Sequence, residues 1–169
     1  MVTKKKPDDR VLKRFSPIWA AEVLGWVCNS DESRLWANLA EVPGDSSIFA
    51  AWHVDADVRP FLLVQKGVAI GYGEIWIDSD AGEVELARIL VMPECRGRGV
   101  GRRLVSLLLA EAAKTGLRDA FVRVHPGNAA AIACYQHAGF RRVDDKSEAS
   151  WNQSQPVEYL WLQRKLSLG

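Results

Sequence analysis

The sequence predicts an α/β (α+β) fold, a central mixed and mostly antiparallel sheet flanked by helices, and three observations predict it. FLLVQKGVAIGYGEIWID and EVELARILV, between residues 61 and 91, read as three strands parted only by Lys66 and Gly67 and by the turn SDAG at 79 to 82, so they form an antiparallel meander. Residues 99 to 115 then switch to a helical period, with Val100, Leu104, Leu107 and Leu108 on one stripe. After them a strand, a helix and two more strands follow, and the crossovers this requires make the sheet mixed.

The elements follow in order. Residues 1 to 8 read as a flexible basic leader and residues 9 to 169 as one domain. Val11, Lys13 and Phe15 alternate with their neighbours as a short strand does. Ser16 offers an N-cap and Pro17 a first helical position for a helix reaching about Cys28, and a second short helix is expected from Asp31 to Leu39. Residues 45 to 59 show no clear period. Gly116 stops the long helix, and Ala120 to Val124 form a strand. His125, Pro126 and Gly127 break the chain, Asn128 caps a helix running to about His137, and Gly139 closes it. Residues 140 to 143 start another strand, residues 144 to 156 are expected as a polar loop, and VEYLWLQRKL supplies the last strand.

With 169 residues and 48% hydrophobic composition the chain can bury a real core. A net charge of +1 argues against a general polyanion binder, so nucleic acid is not the expected partner, although residues 1 to 15 hold six Lys/Arg against two Asp. The lysines at 4 to 6 precede Pro7, Asp8 and Asp9 rather than an apolar run, and no segment approaches membrane-spanning length; a cytoplasmic protein without a membrane partner is expected. Cys28, Cys95 and Cys134 fit neither a disulfide framework nor a zinc site, and no metal is expected.

The densest signal is VMPECRGRGVGRRL, with three glycines and four arginines between Arg96 and Arg103 at the mouth of the long helix. A Walker loop would need Lys and Ser or Thr after Gly101, and a dinucleotide fingerprint would need glycine at 102 or 104; the chain has Arg102, Arg103 and Leu104. Glycines at 97, 99 and 101 let backbone N–H groups turn toward a pyrophosphate at the positive end of the helix. A tight turn with a solvated basic face is the plainer alternative.

Arg96-x-x-Gly99-x-Gly101 after Val91-x-Pro93 resembles the pyrophosphate arm of the GNAT superfamily of N-acetyltransferases, and NAAAIACYQHAGFRRV is similar to that superfamily's second signature. The resemblance covers residues 85 to 143 and implies a sheet splayed between its fourth and fifth strands. It also implies acetyl-CoA as acyl-donor cosubstrate and direct attack of an amine on the thioester. It places the coenzyme against Ile89, Leu90, Val91, Arg96, Gly97, Arg98, Gly99, Val100, Gly101, Arg102 and Asn128. Tyr135 matches the tyrosine near the coenzyme sulfur, a proton donor to the departing thiolate, with an aromatic packed under its helix as the alternative. Glu85, eleven residues before Arg96, and Glu83 on the same strand face are candidate bases, and Glu74 is a further carboxylate toward the acceptor. His125 and Cys134 lack an orienting third group, which disfavours a cysteine nucleophile.

The acceptor is expected to be a small-molecule amine or a peptide N-terminus, because Glu74, Asp78, Glu83 and Glu85 would draw a cationic group. Trp19, Trp26, Trp36, Trp52, Trp151 and Trp161 are candidates for aromatic walls or for core. A homodimer is open, since dimers are common in the superfamily. The rival readings are a catalytically silent coenzyme-A-binding sensor or partner module, a transferase of a different acyl group, and a nucleic-acid-associated protein.

Overall fold

A computed structural model of the chain describes residues 8–167. Seven strands form one sheet in the order β1-β2-β3-β4-β5-β7-β6, from β1 (Arg10–Arg14), β2 (Val58–Gln65), β3 (Val68–Asp78) and β4 (Glu83–Val91) to β5 (Asp119–Val124), β6 (Arg141–Arg142) and β7 (Leu160–Lys165). The four strands β1 to β4 pair antiparallel, β4 and β5 pair parallel, and β5, β7 and β6 pair antiparallel again. The predicted mixed sheet is therefore present, with the meander turns at Lys66-Gly67 and Gly82 carrying positive φ.

Alternation along β2 to β4 divides the core into two layers. Phe61, Leu63, Ile75, Val84 and Leu86 pack with Leu104 and Leu108 of α4 (Val100–Ala113). On the opposite face Leu62, Val64, Tyr72 and Leu90 pack with Val23 of α1 (Ala20–Leu24), Trp36 of α2 (Ser30–Ala37) and Phe49 of α3 (Ser47–Trp52). Leu104 is fully buried, so truncation to alanine there costs about 2–5 kcal/mol. Gly71 and Gly73 let α4 lie close to the sheet: a Cβ on Gly73 would meet Leu108 Cδ1 at 2.8 Å, and one on Gly71 would meet Leu104 Cδ2 at 3.1 Å.

Three expectations are corrected. The first predicted helix is a 3-10 turn at Pro17–Trp19 followed by α1, which ends at Leu24; Ser16 makes no side-chain cap, and Gly25 closes the last turn. The unassigned stretch contains α3. The expected polar loop at 144 to 156 contains α6 (Asp145–Asn152), capped by Asp144, whose carboxylate accepts from the Ser147 N–H at 2.9 Å. Trp151 anchors α6, its ring edge-on to Phe121 at 5.5 Å and to Trp161 at 5.3 Å. The proposed leader lies outside the described residues except for Asp8, which pairs with Arg10 and with Arg103 of α4.

Two irregularities in β4 position the site. Its pairing with β5 runs only from Glu83 to Glu85, opposite Asp119 to Phe121, although β4 continues to Val91 and β5 to Val124. Beyond Glu85 the two strands are splayed. In addition, Arg88 and Ile89 together oppose Gly73, and Arg88 takes φ 46. The Trp36 indole N–H donates to the Arg88 carbonyl at 2.8 Å and fixes this bulge.

Candidate active site

The splayed edge of β4 leads through the 3-10 turn Pro93–Cys95 to the mouth of α4. Gly97 at φ 73 and Gly99 at φ 75 are left-handed, a conformation costly for any other residue, and Gly99 is the N-cap with its carbonyl accepting from Arg103 N. Helix geometry leaves the first N–H groups of α4 without intrahelical acceptors, at the positive end of the helix dipole. Such N–H groups can receive an anion, and they lie next to the edge of β4 that β5 leaves unpaired.

The four arginines of the loop divide by role. Arg96 donates to Val91 O at 3.0 Å, to Glu32 Oε1 at 2.7 Å and to Trp26 O at 3.0 Å, so its guanidinium clamps α2 and the chain before it onto the loop. Arg103 is paired with Asp8 at 3.0 Å. Arg98 and Arg102 are exposed. Of the side chains expected to meet phosphate, these two have no partner among the described residues while Arg96 is engaged elsewhere.

Asn128 starts α5 (Ala129–His137), its side-chain oxygen accepting from the Ala131 N–H at 3.2 Å. Tyr135 is buried on that helix, edge-on to Phe140 at 5.8 Å. Burial pushes its phenol above the usual tyrosine range, and Cys134 and Glu85 push the same way, so it is protonated at neutral pH. Burial also raises the Cys134 thiol, against the pull of Arg102, which argues further against a thiolate nucleophile. A Cβ on Gly101 would sit 3.7 Å from both Cys134 Sγ and Val91 Cγ2, so the first turn of α4, α5 and the end of β4 surround one space.

The carboxylates lie on the other face of the sheet, and their surroundings were not foreseen. Glu74 is fully buried, and its carboxylate accepts from the Tyr72 hydroxyl, from Trp76 Nε1 at 2.6 Å and from Arg88 Nη1 at 2.9 Å, with His53 Nε2 at 3.4 Å. Burial pushes this carboxyl up, but the His53 hydrogen bond, the Arg88 charge and the Tyr72 and Trp76 donors outweigh it and hold it below the usual range. Glu74 therefore meets no acceptor directly; Arg88 stands in front of it. Glu85 is paired with Arg123 Nε at 2.7 Å. Burial raises its carboxyl above the ordinary value against the opposing pull of Arg123. Burial, with the charges of Asp78 and Asp119, also raises Glu83, at the end where β4 and β5 remain paired.

Arg88 and Arg123 are the residues that sequence reasoning missed. The available signal was a cation inside an otherwise apolar strand, in LARILV and in AFVRV, where a charge requires a partner. Of the four carboxylates expected to draw a cation, Glu74 and Glu85 are each matched by an arginine. Among the described residues no group of His, Cys, Asp and Glu is arranged to hold a metal, and no helix is long and apolar enough to cross a membrane.

Comparison with known proteins agrees with this geometry. The chain is 34% identical over 84 residues to the IAA acetyltransferase of Azospirillum brasilense, a match that spans 50% of this chain and 55% of that enzyme. It is 29% identical over 110 residues to the ribosomal protein bS18 alanine N-acetyltransferase of Escherichia coli, covering 56% of this chain and 74% of the relative. A phosphinothricin acetyltransferase from Sinorhizobium meliloti, solved in complex with AcCoA, shares the fold with a TM-score of 0.74 at 16% identity, over 96% of this chain and 91% of that one. The acetyltransferase (GNAT) family matches residues 23–140, which hold the splayed strands, the glycine-lined helix mouth and Tyr135, and the chain belongs to that family of N-acetyltransferases.

Proposed function

We propose that the chain transfers the acetyl group of acetyl-CoA to a primary amine by direct attack of the amine on the thioester. The observation that carries this reading is the coincidence of three features at one opening: the unpaired edge of β4 beyond Glu85, the left-handed Gly97 and Gly99 at the mouth of α4, and buried Tyr135 on α5. The residues present fit the coenzyme. Backbone groups on the free edge of β4 between Ile89 and Val91, apart from the Val91 carbonyl that Arg96 occupies, would serve a pantetheine arm as an added strand does. The N–H groups from Gly97 to Arg102 suit a diphosphate, with Arg98 and Arg102 adding charge. Asn128 has its side-chain oxygen committed to the Ala131 N–H, leaving its amide N–H groups for the coenzyme.

Acetyl-CoA supplies the activated acyl group and a thiolate leaving group. Tyr135, whose phenol keeps its proton at neutral pH, donates the proton that the thiolate takes up. Glu85, raised by burial and held by Arg123, accepts the proton of the amine, and Glu83 is the second carboxylate on that strand face. The activities of two relatives, on a ribosomal protein alanine and on IAA, leave both a peptide N-terminus and a small molecule open as acceptor.

The test is release of free coenzyme A thiol from acetyl-CoA across a panel of primary amines, repeated with Tyr135→Phe. Loss of about 10²-fold or more in kcat with acetyl-CoA affinity retained supports the assignment. Coenzyme binding without turnover on any amine would favour a silent coenzyme-A-binding module, and faster turnover with succinyl-CoA a different acyl donor.

A further inference from the structure

Arg88 and Arg123 stand on opposite lips of the splay. The last paired residues are Glu85 on β4 and Phe121 on β5; Arg88 lies three residues further along one strand and Arg123 two further along the other. Their guanidinium carbons lie 4.9 Å and 5.3 Å from the centroid of the same Trp76 ring. Trp52 stacks on Arg88 at 3.7 Å, and Trp161 and Tyr159 flank Arg123 at 5.5 Å and 5.9 Å. The result is a ladder of alternating indoles and guanidiniums across the acceptor face of the opening.

Neither guanidinium has all its donors engaged. Arg88 gives one N–H to Glu74, and Arg123 gives Nε to Glu85 and Nη1 to Gln155 at 2.7 Å. A guanidinium has five N–H donors. Nε and Nη2 of Arg88 and Nη2 of Arg123 have no acceptor among the described residues, and the two side chains are 18% and 24% exposed. Stacking, the carboxylate on each and the Gln155 oxygen on Arg123 already fix both planes, so an oxyanion finds donors whose ordering entropy has been lost beforehand. Glu74 and Glu85 are neutralised by these arginines and offer a polycation little attraction.

We propose that the acceptor is a small primary amine bearing a carboxylate, with Arg88 and Arg123 recognising the carboxylate while the amine reaches the opening between β4 and β5. This rests on the acetyl-transfer reading above and narrows its acceptor.

The experiment measures thiol release from acetyl-CoA with each proteinogenic amino acid beside its own carboxamide, together with spermidine and kanamycin, and records in parallel the thermal shift given by acetyl-CoA. The expected result is an acid-over-amide preference in kcat/KM of about tenfold or more for the best pair, with spermidine and kanamycin poorer than that acid. Arg88→Lys and Arg123→Lys, which keep charge but lose the planar fork, bring that ratio toward one by raising the acid's KM. Equal rates for acid and amide in the unaltered protein, or better rates with the polycations, overturn the proposal without recourse to any variant. No turnover on any panel member, with the acetyl-CoA shift present, overturns the acceptor class and leaves coenzyme binding standing; no shift overturns both.

Discussion

Replacing Gly101 by alanine separates stability from coenzyme binding. Gly101 is the second residue of α4 and its φ is not left-handed, so alanine suits its backbone. The added Cβ would make only ordinary contacts, 3.7 Å to Cys134 Sγ and 3.7 Å to Val91 Cγ2. Glycine inside a helix costs about 0.5–1 kcal/mol relative to alanine, so the free variant melts higher, by roughly 2–4 °C per kcal/mol for a domain of this size. The same methyl fills the space between α4, α5 and β4 that the backbone must leave open for the coenzyme. A tenfold loss of acetyl-CoA affinity, about 1.4 kcal/mol, is the expected cost. Gly99→Ala is the control: at φ 75 it loses about 1–2 kcal/mol of stability although nothing lies within 4 Å of its Cβ. The two variants move the melting temperature in opposite directions and the affinity in the same one. Scanning calorimetry and titration calorimetry with acetyl-CoA read both, and a Gly101→Ala protein that binds acetyl-CoA as tightly as its parent would refute this placement of the coenzyme.

Three further outcomes follow from the site and its supports. If Glu85 takes the proton of the amine, the rate falls as pH drops through its raised carboxyl value, and Glu85→Gln removes that limb with a loss of about 10²-fold; an unchanged pH profile would assign the base to water. Glu74 is held below its ordinary value, so its ionised form contributes stability above about pH 4.5 that is lost as pH falls through the depressed value. Glu74→Gln should accordingly be less stable than the parent by roughly 1–3 kcal/mol at neutral pH, with the gap closing in acid; urea melts showing a constant gap would count against the buried anion. Gly73→Ala sets a Cβ 2.8 Å from Leu108 Cδ1 and should cost about 1–3 kcal/mol, whereas a variant that melts like the parent would mean α4 yields there without strain.

The donor side of this fold is legible in the sequence because its signals are local. Gly97, Gly99 and Gly101, the stripe of α4 and the cap at Asn128 each report through neighbours within a few residues. The acceptor side is not local. Glu74 meets Arg88 and Glu85 meets Arg123 only through the register of β3, β4 and β5 and the bulge at Arg88, so the glutamates read as free carboxylates when each is in fact paired. Helix α6 escaped for a different reason: DKSEASWN is polar almost throughout, and it is held by its Asp144 cap and by one tryptophan packed on Phe121 and Trp161. Helix α1 stops at Leu24 because Gly25 follows it and the next N–H groups, of Trp26 and Val27, bond three residues back, although both side chains are apolar and buried.

If the splayed strand and the glycine-lined helix mouth bind acetyl-CoA, thermal melts of the unaltered protein alone, with acetyl-CoA and with NAD at matched concentrations will show it. At about 100 times the dissociation constant, binding adds roughly 2.7 kcal/mol, several degrees for this domain. A shift with acetyl-CoA and none with NAD is the predicted result. No shift with acetyl-CoA, or an equal shift with NAD, would contradict it.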